Sequence, residues 1–294
     1  ITVVEYARRL GLLVCFSLIT QIHIALAINM NPIVVPARSQ HSATVIVLHG
    51  LGDSGAGWSS VAGQLDLPWV KFIFPSAAPR PVTINGGAMC PAWADIKGLS
   101  PDSPEDVEGS LETRALIHSL ITSEVSSGIP ASRIVIGGFS QGAAMACLAA
   151  LTYDCALGGC FMLSGYLGLR EKLPTMLTEG GRKTPIFQAH GTQDGMIPFA
   201  FGQLTSQVLR MMGAGVEFKQ YAMGHESSPQ ELQDLRAWLA GRLAAQAQAP
   251  LPAIPDDLEA LSVRALKDLL ASRHVDMSDC VEKADLLRKA RALL

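Results

Sequence analysis

The chain has no C-x-x-C pair, and its six cysteines (Cys15, Cys90, Cys147, Cys155, Cys160 and Cys280) stand apart from one another. No histidine and cysteine cluster has metal-ligand spacing, so neither a metal site nor a disulfide framework is expected; scattered thiols suit a reducing compartment and a cytoplasmic location. Charge is also scarce: charged residues make up 17% and balance to −3. That excludes a generally basic, nucleic-acid-coating protein, and nucleic acid is not an expected partner. Apolar residues reach 49% of the 294. A sizeable core is therefore expected, in one large or two modest domains.

The first 29 residues carry Arg8-Arg9, then the apolar stretch Leu10–Ala27, which ends in Ala25-Leu26-Ala27. This layout fits a secretory or transit leader, and the stretch is nearly long enough for a membrane anchor. A third reading makes it extraneous to the functional protein, because Met30 directly precedes the globular pattern. From there strand and helix alternate. Buried strands are predicted at Thr44–Leu48, Lys71–Phe74, Arg133–Gly137, Leu157–Leu163, Pro185–Ala189 and Val216–Tyr221, and helices at Pro104–Val125, Gln141–Leu151, Ala200–Met212 and Pro229–Ala245. Ser103-Pro104 and Ser228-Pro229 read as N-caps, with Glu231 completing a capping box. Short apolar strands between helices predict an α/β domain over 30–246, a mostly parallel sheet with helices on both faces. The small-residue and proline stretch 247–257 reads as a linker, and 258–294 as a small C-terminal helical module with Leu266, Leu269 and Leu270 as its apolar stripe.

The β-branched run Ile134-Val135-Ile136 ends in Gly137-Gly138-Phe139-Ser140-Gln141-Gly142 and runs straight into a helical pattern. A G-x-S-x-G match alone fits any turn serine. Between a strand and a helix it predicts a nucleophile elbow, with the glycines permitting a sharp turn and close packing while the serine oxygen stands clear of the sheet. A serine hydroxyl attacks only when a base takes its proton and a carboxylate orients that base, and in such folds the chain order is serine, acid, histidine. Three histidines follow Ser140. His274 lies beyond the linker and His190 comes too early to follow an acid, which leaves His225 on the loop before the last capped helix. Asp194, just past the strand 185–189, is the candidate acid, although Asp194-Gly195 is also a good turn pair.

The glycine-rich turn LHGLGDSG after the first strong strand can aim a backbone N–H at a developing oxyanion, and the residue after the nucleophile can supply a second. Leu51 and Gln141 are the candidate donors. A phosphate-cradling loop is not expected, because the Gly-Lys-Ser/Thr ending is missing and no acidic ribose partner stands out at the expected distance.

Taken together, LHGLGDSGAGW, PAWADIKGLSPDSPEDVEG, GGFSQGAAM, HGTQDGMIP and MGHESSPQEL resemble the acyl-protein thioesterase family of lysophospholipases and carboxylesterases, in order from Pro32 to Arg242. The resemblance implies an α/β-hydrolase fold without a large lid, no cofactor, and hydrolysis of S-acyl chains from lipidated proteins. Weaker action on lysophospholipids and simple esters, and transient contact with a membrane surface, belong to the same expectation. It also implies the triad Ser140, Asp194 and His225, oxyanion donors at Leu51 and Gln141, and apolar groove residues at Met196 and Phe201. Tyr166 stands where close relatives often carry tryptophan. The tail, in LSVRALKDLL and VDMSDCVEKADLL, is similar to SAP-like helix-loop-helix modules. From 261 to 294 it carries seven basic and five acidic residues, a faint footprint for DNA, so a protein partner is the favoured expectation.

Overall fold

The structure is a computed structural model that describes residues 32–100, 102–245 and 254–293, apart from 256, 272, 274, 276, 278 and 279. The leader and most of the 247–257 linker lie outside the described residues. The chain divides into a unit ending at Ala245 and a second beginning at Gln246.

The strands of the first unit are β1 (Ile33–Val35), β2 (Ala43–Leu48), β3 (Val70–Phe74), β4 (Pro79–Val82), β5 (Ala88–Pro91), β6 (Ile134–Phe139), β7 (Gly159–Leu163), β8 (Ile186–Gly191) and β9 (Val216–Tyr221). Seven of them form the central sheet in the order β1-β3-β2-β6-β7-β8-β9. Only β1 runs antiparallel to its neighbour there. These strands are apolar on both faces because both faces are covered. Val45, Val47 and Val135 pack with α1 (Gly55–Ser59), α2 (Val61–Leu65) and the helix Pro229–Arg242, whereas Ile46, Leu48, Ile134 and Ile136 pack with α3 (Val107–Ser126) and α4 (Gln141–Leu151). The short helices α5 (Leu173–Met176) and α6 (Glu179–Lys183) are followed by α7 (Phe199–Met211), and Pro229–Arg242 is α8. The chain builds β3 and β1 to one side of β2, then β6 to β9 to the other. The carboxyl ends of β2 and β6, which pair through Leu48 and Gly138, therefore flank the topological switch point.

Val216–Tyr221 and Gln141–Leu151 have the predicted bounds, and most other elements shift by a few residues. The helix expected from Pro104 starts instead at Val107, with Asp106 as its cap through a bond from the Gly109 N–H (3.1 Å). Ser103 closes a turn on Ser100, and Glu105 pairs with Ile96 in an isolated bridge, so the helix cannot begin before Asp106. The capping box at Ser228 is half formed: Ser228 Oγ accepts from the Glu231 N–H (3.2 Å), but neither carboxyl oxygen of Glu231 is hydrogen-bonded. That helix also ends at Arg242 rather than Ala245. β4 and β5 form a separate two-stranded ribbon. Their prolines argue against strand in the sequence and are tolerated because each strand has one partner only.

Among its described residues the second unit holds two helices, Val263–Ala271 and Lys283–Arg291. Its core is Leu258, Leu266, Leu269, Leu270, Leu286 and Ala290. Glu282 and Asp285 form a complete capping box at the second helix.

Candidate active site

The turn from β6 into α4 places Ser140 at φ 53° and ψ −119°, a conformation that costs an L-residue energy and is held by its surroundings. The Ser140 N–H donates to the Leu163 carbonyl (2.9 Å), and the Ser140 carbonyl accepts from the Ala144 N–H (3.2 Å). Glycine is required on both sides. A Cβ on Gly138 or Gly142 would collide with the Leu48 carbonyl oxygen, and on Gly142 with that of His49 as well. Gly142→Ala is therefore expected to destabilise the fold by about 3 kcal/mol or more, since the obstacles are backbone atoms. An unchanged denaturant midpoint would contradict this packing.

His225 and Asp194 reach the serine from two further loops. The His225 ring lies with Nε2 3.0 Å from Ser140 Oγ and Nδ1 2.7 Å from Asp194 Oδ2. An ionised carboxylate only accepts, so Nδ1 carries the proton and Nε2 presents a lone pair to the serine hydroxyl. The other Asp194 oxygen accepts from the Met196 and Ile197 N–H groups (2.9 and 2.8 Å), and the carboxyl is fully buried. The two loops are stitched together by the Gln193 N–H donating to the Met223 carbonyl (3.1 Å). Phe139 packs against the imidazole at 4.7 Å between ring centres and stacks on Trp58 at 5.3 Å.

His190, excluded as the base by its position in the chain, lies beneath the acid. Its Nε2 donates to the Ile197 carbonyl (2.9 Å) and sits 3.5 Å from Asp194 Oδ2. Burial lowers its pKa, so the ring braces the acid turn as a neutral group.

The turn after β2 abuts the serine, with a Cβ built on Gly50 lying 3.6 Å from Ser140 Cβ. Gly52, at φ 78°, lets the chain reverse there, and its N–H donates to the Pro91 carbonyl (2.8 Å). His49 fixes this turn: Nδ1–H donates to the Gly50 carbonyl (2.7 Å) while Nε2 accepts from the Ala77 N–H (2.9 Å). Accepting at Nε2 needs a neutral ring, and burial lowers its pKa accordingly. Among the described residues no acceptor is bonded to the Leu51 or Gln141 N–H. The Gln141 side chain is itself buried, accepting from the Trp93 N–H (2.9 Å) and donating to the Ala94 carbonyl (2.6 Å). Sequence reasoning does not find His49, Trp93 or the Gln141 amide. Each depends on contacts across 28 residues or more, and only the H-G pair after a strand hints at the first.

Beside Gln141 opens a cavity of about 200 Å³. Tyr166 and Phe201 line it, together with Met145, Leu167, Ile197 and Leu204. Met196 does not: its side chain is 58% exposed and only its backbone serves the site, because the turn that bonds Asp194 faces it outward. Among the described residues no group of three or more His, Cys, Asp or Glu side chains is placed to hold a metal ion.

A mostly parallel sheet, a serine on a strained strand-to-helix turn and an imidazole between that serine and a buried carboxylate define an α/β-hydrolase. The chain belongs to the phospholipase/carboxylesterase family, whose description matches residues 29–242. It is 42% identical over 227 residues to acyl-protein thioesterase 1 of Gibberella zeae, spanning 73% of this chain and 97% of that protein. Among solved structures it is similar to Arabidopsis thaliana SOBER1 (TM-score 0.67, 34% identity, 69% of this chain and 99% of that one). Zea mays acyl-protein thioesterase 2 has the same TM-score of 0.67 at 33% identity, covering 72% of this chain and 99% of that one. Residues 254–294 match a description other than the SAP-like one, that of an E3 ubiquitin-protein ligase rififylin-like domain.

Proposed function

We propose that this hydrolase is an acyl-protein thioesterase that removes S-acyl chains from lipidated proteins. The observation that carries the reading is the hydrogen-bonded series Asp194–His225–Ser140 beside a largely apolar cavity. In this mechanism Ser140 Oγ attacks the thioester carbonyl as His225 Nε2 takes its proton. The oxyanion is met by the Leu51 and Gln141 N–H groups. Collapse expels the thiolate, which receives the proton from His225 and leaves the acyl group on Ser140. Water, activated by the same imidazole, then releases the fatty acid. The parent thiol has a pKa of about 8.5, so its departure needs little acid assistance. Burial of each methylene favours binding by roughly 0.8 kcal/mol, so the tail of the acyl group selects the substrate and the protein side can vary.

The pocket rim supports transient contact with a membrane surface: Leu99 and Leu204 line the cavity yet are 39% and 53% exposed. Among the described residues no helix is long and apolar enough to cross a membrane. A cytoplasmic location is supported by Cys90, Cys147, Cys155 and Cys160, which among the described residues are not joined in disulfides. The C-terminal module is assigned to docking a protein partner.

A fluorophosphonate probe is expected to label the protein, and Ser140→Ala to abolish both labelling and hydrolysis. Folded wild-type protein that resists the probe would indicate a non-catalytic scaffold. The same triad would serve a lysophospholipase or general carboxylesterase. Faster turnover of lysophosphatidylcholine than of an S-palmitoyl peptide would favour that activity instead.

A further inference from the structure

The cavity is walled in part by the stretch 94–100 with 103–106, and in part by residues 166–168 and Arg170. These walls come from segments about 60 residues apart in the chain, and the Glu105 side chain joins them. Glu105 Oε1 accepts from the Leu169 N–H (2.6 Å) and Oε2 from the Arg170 N–H (3.0 Å). The Arg170 guanidinium stands 4.0 Å from Oε2. Glu105 is itself anchored in its wall by the bridge to Ile96.

The loop it grips is strained. Ser164 and Leu169 have φ of 48° and 49°, in the left-handed region that non-glycine residues seldom occupy. Leu169 is nevertheless buried, at 1% exposure. Such a conformation persists only where neighbours over-determine it, and at Leu169 two bonds from adjacent N–H groups to the Glu105 carboxyl do so. Between Ser164 and Leu169 lies Tyr166, part of the cavity lining. Its phenol is pushed up to about 12 by burial first and by the charge of Glu105 second, which places that charge within electrostatic reach of the lining.

We propose that Glu105 is a positioning residue for substrate selection: it holds the two walls of the acyl cavity at a fixed separation and thereby sets how strongly long acyl chains are preferred. The inference rests on the reading that this cavity takes the acyl chain. Without the carboxylate the 166–170 loop relaxes, the walls part, and water reaches methylenes that were enclosed.

The test is kcat and KM on a series of S-acyl peptides from butyryl to palmitoyl, with active enzyme counted by fluorophosphonate titration. In the wild type, kcat/KM should climb by up to about fourfold for each methylene enclosed. Glu105→Ala should flatten this climb, raising KM for palmitoyl by about tenfold more than KM for butyryl. Glu105→Gln, which keeps one acceptor, should lie between the two, and it decides the matter if the alanine variant does not fold. A profile parallel to that of the wild type, whether unshifted or lowered by a common factor, overturns the proposal. A wild-type rate that ignores chain length overturns the cavity reading itself, and the role of Glu105 with it.

Discussion

Asp194→Asn is expected to lower thioester turnover by about four orders of magnitude while leaving the protein folded. The asparagine oxygen can still accept from the Met196 and Ile197 N–H groups, so the turn keeps its backbone bonds. The change falls on the atom that faces His225 Nδ1, now an amide N–H2 where an acceptor stood. To meet a donor, Nδ1 must give up its proton, which moves to Nε2, and the ring then points an N–H at Ser140 instead of a lone pair. Base strength at the serine is lost although every heavy atom stays within a fraction of an ångström. Steady-state kinetics and the rate of fluorophosphonate labelling should fall together. A loss smaller than tenfold would mean that another group orients His225, and the buried His190, which has no charge to offer, is no substitute.

The elements that determine the site differ in how far they can be read from sequence. The elbow is legible because its evidence is local: a β-branched run, glycines on both sides of a serine, and an alanine-rich helix, all within about 20 residues. The nearness of Asp194 and His225 is legible by chain order and elimination, since few histidines follow Ser140 and loops at the carboxyl ends of parallel strands converge. What escapes is long-range. Glu105 falls in the first turn of a helix by pattern, and only its bridge to Ile96 and the bonds of its side chain to Leu169 and Arg170 show why the helix starts later. The family resemblance makes Met196 a groove residue, yet in the structure it is largely exposed to solvent. β1 is three residues long and is recognisable only as the antiparallel partner of β3. As half of a capping box Glu231 would be exposed, whereas its side chain is enclosed by the first turn of α8 and what packs on it.

That enclosure makes Glu231 the source of the second large effect, on stability. Its carboxyl is fully buried with neither oxygen in hydrogen-bond geometry, and burial pushes its pKa up to about 8 from an ordinary 4.5, against a smaller pull from the nearby Ser228 backbone N–H. The folded state therefore keeps a proton that the unfolded chain releases, so the associated stability is intact below pH 4.5 and is lost as pH rises through about 8. Between those two values the loss accumulates at about 1.4 kcal/mol per pH unit and reaches about 4 to 5 kcal/mol in full. The histidines act in the opposite sense. Burial depresses His41, His49, His118 and His190, whose contribution is present above pH 6.5 and lost as pH falls below it. Glu231→Gln removes the first dependence and leaves the second. Denaturant unfolding at pH 5, 7 and 8.5 should show the variant gaining on the wild type by about 3 kcal/mol or more across that range, whatever their difference at pH 5. Stability curves that run parallel from pH 5 to 8.5 would show that the carboxyl ionises as freely in the folded protein as in the unfolded chain, and that some group or solvent path reaches it beneath α8.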